Sequence, residues 1–146
     1  MPHDVSIAAH ILGAVPRPVS AVAERGADQV LGLTATSVLA DGTWHVAQIG
    51  VWSPQVIRNI TLACRDGSAC LPASDADHLI LLENPPLVGV GAPRPIRRPV
   101  VVDMPLLSEL TAFVEHVRGG PPPMSTASEA AAGVEAITQM RRLAGI

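Results

Sequence analysis

Two neighbouring residues in the opening stretch MPHDVSIAAHILG, His3 and Asp4, carry the side chains that proton transfer needs. An imidazole serves as general base or hydrogen-bond donor near neutral pH, and a carboxylate beside it can orient it. Asp4 also stands where an N-cap would, so it can equally satisfy the free amides of a helix that begins at Val5. A second group lies in TWHVAQIGVW, where strand alternation puts Trp44, Val46, Gln48, Gly50 and Trp52 on one face. His45, Ala47, Ile49 and Val51 fall on the other. Trp44, Gln48 and Trp52 suit a pocket floor, with indoles shaping an apolar ligand and an amide fixing its orientation. The same residues suit a core or a dimer seam. His45 is a second candidate for moving a proton. Arg58, in the otherwise apolar run QVIRNITLAC, can bind a carboxylate or phosphate, or pair with a neighbour in a sheet.

Other chemistries are excluded by what the chain lacks. All ten basic residues are Arg, so no lysine is present for Schiff-base chemistry. The histidines show no H-x-x-H or H-x-x-x-H spacing and the two cysteines no C-x-x-C, so no metal site is expected. No G-x-S-x-G elbow supports a nucleophilic serine. A net charge of −3, scattered arginines, two Trp, one Phe and no Tyr leave neither a basic stripe nor a stacking surface for nucleic acid. No run reaches the roughly 18 apolar residues of a membrane span, and no signal-peptide pattern is visible, so a cytoplasmic protein is expected. The cysteines in ACRDGSAC flank an Asp-Gly turn; pairing across it sets Cys64 opposite Ala69 and Ala63 opposite Cys70, with the sulfurs on opposite faces and no disulfide.

The elements that must position these groups follow from periodicity. At 146 residues one domain, 1–146, is the economical reading. A helix from Val5 to Leu12, stopped at Gly13, puts Ile7, Ile11, Ala8 and Leu12 on a buried face. After Pro16 and Pro18 come strand patterns: PVSAVAE, VLGLTATSVLA, the turn ADG, TWHVAQIGVW, QVIRNITLAC, ACLPAS and HLILLE. NPPLVGVGAPRPIRRP reads as a surface loop. Two helices close the chain: MPLLSELTAFVEHVRGG, and one opened by the capping box Thr126 to Glu129 with Val134, Ile137, Met140 and Leu143 on one stripe. Strands followed by helices mean α+β: an antiparallel open sheet of about five or six strands with helices on one face, the other left for a pocket or a dimer interface.

This order resembles the C-terminal domain of the Gfo/Idh/MocA oxidoreductases. The resemblance rests on HDVSIAAHILG, on LTATSVLADGTWHVAQIGVWSPQVIRNITLACRDGSA and on PLLSELTAFVEHVRGGPPPMSTASEA, and it runs along nearly the whole chain. It implies a substrate and oligomerisation domain, with a Rossmann domain elsewhere carrying the dinucleotide and the catalytic lysine. His3 matches the family's catalytic histidine; the aspartate that usually lies four residues before it would fall upstream of Met1. No G-x-G-x-x-G follows a strand in this sequence and no lysine exists, so the family's redox reaction does not carry over and no cofactor is expected.

The expectation is therefore a cofactor-independent enzyme of isomerase, cyclase or dehydratase type that binds a largely apolar small molecule. His3, Asp4 and His45 would be its catalytic residues, and Trp44, Gln48, Trp52 and Arg58 its ligand contacts. A homodimer through the sheet face or exposed helices is expected, with no nucleic acid and no membrane partner. The alternatives are a non-catalytic dimerising or binding subunit, or the substrate-domain subunit of a split NAD(P)-dependent dehydrogenase.

Overall fold

A computed structural model describes residues 2–51, 53–83, 94–101 and 104–146. The architecture is α+β. The elements run α1 (Pro2–Leu12), β1 (Arg17–Arg25), β2 (Val30–Val38), β3 (Trp44–Gly50), β4 (Ile60–Cys64), β5 (Gly67–Leu71), β6 (His78–Glu83), β7 (Ile96–Pro99), α2 (Pro105–Val117) and α3 (Ala127–Leu143). The strands form two antiparallel sheets, β1-β2-β3 and β4-β5-β6-β7, in place of the one sheet expected. The interruption falls at residues 53–59, which are not strand although QVIRNITLAC has strand-like composition. Pro54 stands at its start and lacks the amide a ladder needs. The chain divides into two compact units, residues 1–53 with 112–146, and residues 54–111; the division falls inside α2.

The first unit contains the β1-β2-β3 sheet, with α1 and α3 packed on one of its faces. Its core joins Val5 of α1, Leu33 and Ala35 of β2, and Ala136 and Met140 of α3, with Ala21 of β1 and Ile137 of α3 partly buried against them. Along β2, buried Leu33, Ala35 and Ser37 alternate with half-buried Thr34, Thr36 and Val38, the period-two signature of one covered face. The stripes on the helices differ from those expected. In α1 the buried residues are Val5 and Ala8 while Ile7 and Ile11 stay exposed, and in α3 Ala136 and Met140 are buried while Val134 and Leu143 stay exposed. The inner stripes mix small and large side chains, Ala8 and Ala136 beside Val5 and Met140.

Helix α1 begins at Pro2, earlier than expected, so Asp4 lies within the first turn. Proline suits that position because its missing amide would have no partner there anyway. The capping box of α3 forms as read: Thr126 Oγ1 accepts from the Glu129 amide at 3.2 Å, and Glu129 Oε2 accepts from the Thr126 amide at 2.8 Å. Gln139 Nε2 of α3 donates to the Pro18 carbonyl of β1 at 3.1 Å, tying the helix to the sheet.

In the second unit the β4–β5 hairpin turns one residue earlier than Asp-Gly suggests. Cys64 pairs with Gly67, and Thr61 with Cys70, leaving Arg65 and Asp66 as the turn. Gly67 is drawn into the ladder because it also pairs with Glu83 of β6, with its Cα passing against the Leu82 carbonyl where no Cβ fits. The one-residue shift keeps Cys64 and Cys70 on opposite faces, and both thiols are free. Ile96–Pro99, read as part of a loop, forms the edge strand β7 against β6. Pro99 is tolerated there because an edge strand leaves alternate amides unpaired.

Candidate functional site

The β2–β3 hairpin decides where the candidate residues go. Its loop closes through Leu39 N–H donating to Thr43 O at 2.8 Å and Gly42 N–H to Leu39 O at 3.1 Å, with Asp41 Oδ1 accepting from the Thr43 amide at 2.9 Å. Gly42 has φ +86°, a left-handed conformation that the turn requires and glycine adopts without strain. Counting outward, Val38 pairs with Trp44, Ser37 with His45, Ala35 with Ala47 and Thr34 with Gln48.

His45 thus shares the helix-covered face with Ser37, Ala35 and Ala47. Ser37 is fully buried. Two polar atoms on this face, Ser37 Oγ and His45 Nδ1, are buried with no hydrogen-bond partner. Burial pushes the His45 imidazole below its ordinary pKa, and the Asp4 carboxylate opposes this by favouring the imidazolium. That coupling places Asp4, in the first turn of α1, within electrostatic range of His45, on β3. His3 precedes Asp4 on the same turn and is exposed, as Asp4 is.

Trp44 and Gln48 take the opposite face. Trp44 is 67% exposed, and Val46 and Val22 of the same face are also open. Within one copy, therefore, Trp44 and Gln48 do not share a pocket with Asp4 and His45. Trp52 lies outside the described residues. Arg58 belongs to the second unit and is exposed in the non-strand segment before β4, so it is not a charge within a strand. Among the described residues singled out from sequence, Asp4 acts electrostatically on His45.

Ser37 was missed by sequence reasoning. Its signal was present: the ADG turn read from sequence fixes the hairpin, and pairing outward from it sets Ser37 opposite His45. A buried serine in an apolar strand simply gives no motif by itself. An open cavity of about 490 Å³ lies at one end of the same unit, lined by Val15, Arg17, Val38, Leu39 and Asp41 among others, and it includes none of the residues singled out.

Among the described residues no group of three or more His, Cys, Asp or Glu could hold a metal ion. A nicotinamide dinucleotide, which the family resemblance implies, does not fit this chain's own residues. Its phosphates need the glycine-rich turn between a parallel strand and a helix, whereas every ladder among the described residues is antiparallel. No helix among the described residues is long and apolar enough to cross a membrane.

No protein-family model matches the sequence, and no curated protein does. Solved structures do match in fold. UDP-N-acetylglucosamine 3-dehydrogenase from Acidithiobacillus ferrooxidans is 18% identical with a TM-score of 0.81, over 98% of this chain and 45% of that one. Aldose-aldose oxidoreductase from Caulobacter crescentus, complexed with glycerol, is 16% identical with a TM-score of 0.74, over 99% of this chain and 43% of that one. A 3-ketoreductase from Actinomadura kijaniata, in complex with TDP-benzene and NADP, is 16% identical with a TM-score of 0.72, over 96% and 44%. The chain spans somewhat under half the length of each. Its fold is the one these oxidoreductases share over that part, consistent with the C-terminal domain of the Gfo/Idh/MocA group that the sequence resembles.

Proposed function

We propose that the chain is the substrate-handling domain of a small-molecule enzyme, performing proton transfer of the isomerase, cyclase or dehydratase kind without holding a nicotinamide itself. The observation that carries this reading is the half-buried His45 on the covered face of β3, its imidazole held below its ordinary pKa by burial, with the exposed Asp4 carboxylate of α1 acting on it electrostatically. A carboxylate and an imidazole kept neutral by burial form an acid–base couple able to accept a proton at one place on a ligand and deliver one at another. His3, on the same helical turn, extends the couple toward solvent. Fixed positioning of the ligand beside such a couple contributes much of the rate, with effective molarities worth roughly 7–11 kcal/mol in well-oriented systems.

The opposite face, with Trp44, Val46 and Val22 open, then serves for pairing with a second copy, Gln48 supplying a polar contact in the seam. The test is a nuclear magnetic resonance titration with panels of apolar carbonyl compounds and aldoses. Shifts gathered at Asp4, His45 and the start of α1, abolished by His45→Gln, support the reading. Shifts confined to Trp44 and Gln48, or saturable binding of NAD(P) by the chain alone, overturn it.

One observation favours a second reading. The three oxidoreductases above match over less than half their length, and one of them is in complex with NADP. The chain would then be the substrate half of a dehydrogenase, its nucleotide half supplied by polypeptide outside these residues. Dehydrogenase activity that appears only on adding such a polypeptide selects this reading.

A further inference from the structure

Ser37 and His45 are register partners across the β2–β3 ladder and share its covered face. Cross-strand partners have Cβ atoms roughly 4.5–5.5 Å apart, a gap that a serine hydroxyl and an imidazole Nδ1 can span once either side chain rotates toward the other. Both atoms are buried, and neither makes a hydrogen bond in this structure, to the other or to anything else. We propose that Ser37 is a positioning residue for His45: its hydroxyl proton is directed to Nδ1, so that the neutral ring carries its own proton on Nε2.

The polarity follows from what each group can offer. Serine has one donor and two acceptor sites, and neutral imidazole has one of each. If Nδ1 were the donor, the Ser37 hydroxyl proton would be left buried and unmet, which costs far more than an idle lone pair. With Nδ1 accepting, Nε2 is the N–H donor of the neutral ring. This deepens the proposed function, on which its catalytic meaning rests: His45 Nε2–H is the group that donates to a developing oxyanion, and the Asp4 carboxylate is the proton acceptor. Sequence could not separate these roles.

Long-range proton–nitrogen correlation on the full chain, at a pH where the imidazole is neutral, distinguishes the two ring nitrogens without any ligand. The expected wild-type result is unprotonated Nδ1 and protonated Nε2. Ser37→Ala should move the Nδ1 resonance toward the protonated position, and Ser37→Thr, which retains the hydroxyl, should hold it at the wild-type position. Protonated Nδ1 in the wild type overturns the inference, as does an unchanged ring spectrum in folded Ser37→Ala. Should Ser37→Ala fail to fold, the wild-type spectrum still decides. The protonated-Nε2 form without any ligand response would leave this inference standing and reject the proposed function instead.

Discussion

Gly133 of α3 faces Val5 of α1 so closely that a methyl group added at Gly133 would lie 3.8 Å from Val5 Cγ1. That is ordinary van der Waals contact, and Gly133 sits well inside a helix that runs from Ala127 to Leu143. Glycine in a helix interior is less favourable than alanine by about 0.8–1 kcal/mol. Gly133→Ala should therefore stabilise the protein by about 0.5–1 kcal/mol in urea denaturation; a loss of stability would show that α1 and α3 cannot spare the space.

The opposite result is expected at Gly67. A Cβ there would collide with the Leu82 carbonyl oxygen, which belongs to rigid backbone of β6. Gly67→Ala should lower stability by about 1–3 kcal/mol, the usual range for overpacking, with amide exchange accelerated in β5 and β6 first.

At the start of α3, Thr126→Ala removes one half of a reciprocal pair and should lower stability by about 1 kcal/mol. The backbone amide of Thr126, followed by its hydroxyl, holds the Glu129 carboxyl below its ordinary pKa in the folded state. Its contribution is therefore complete above the ordinary carboxylate pKa and lost as pH falls through the lower folded value. Wild type should lose stability toward acid more steeply than Glu129→Gln, which removes the titrating carboxyl, when the two are compared by thermal melting.

His45 gives a second, separable pH dependence. Burial lowers its folded pKa, so the unfolded chain binds its proton more readily. Stability from this source is complete above the ordinary value of 6.5 and falls as pH drops from there toward the folded pKa. Denaturation midpoints across that window should slope upward with pH in the wild type and flatten in His45→Gln.

The sequence showed the α+β class, the face alternation of β3 and the capping box of α3, because each is written in local spacing that tertiary packing did not override. Trp44 and His45 stand on the faces that alternation assigns. The departures have physical causes in contacts far along the chain. Gly67 leaves the turn because β6 presses against it, and Ile7 gives way to Val5 on the buried stripe because α1 packs against α3 and β2 together. Of the candidate site, the interaction of Asp4 with His45 was hidden, since it joins residues 41 positions apart. Ser37 was hidden by its ordinariness.

The loop from Leu39 to Thr43 acts on β3 as a reading frame acts on a message. Side chains alternate with a period of two, so sliding β3 by one residue against β2 while the loop keeps its length would exchange the contents of the two faces. His45 would be turned outward and Trp44 pressed beneath the helices. A single residue inserted between Ala40 and Gly42, if taken up by the ladder and not by the loop, would thus transpose the covered and open faces of β3 while leaving every one of their side chains in the sequence.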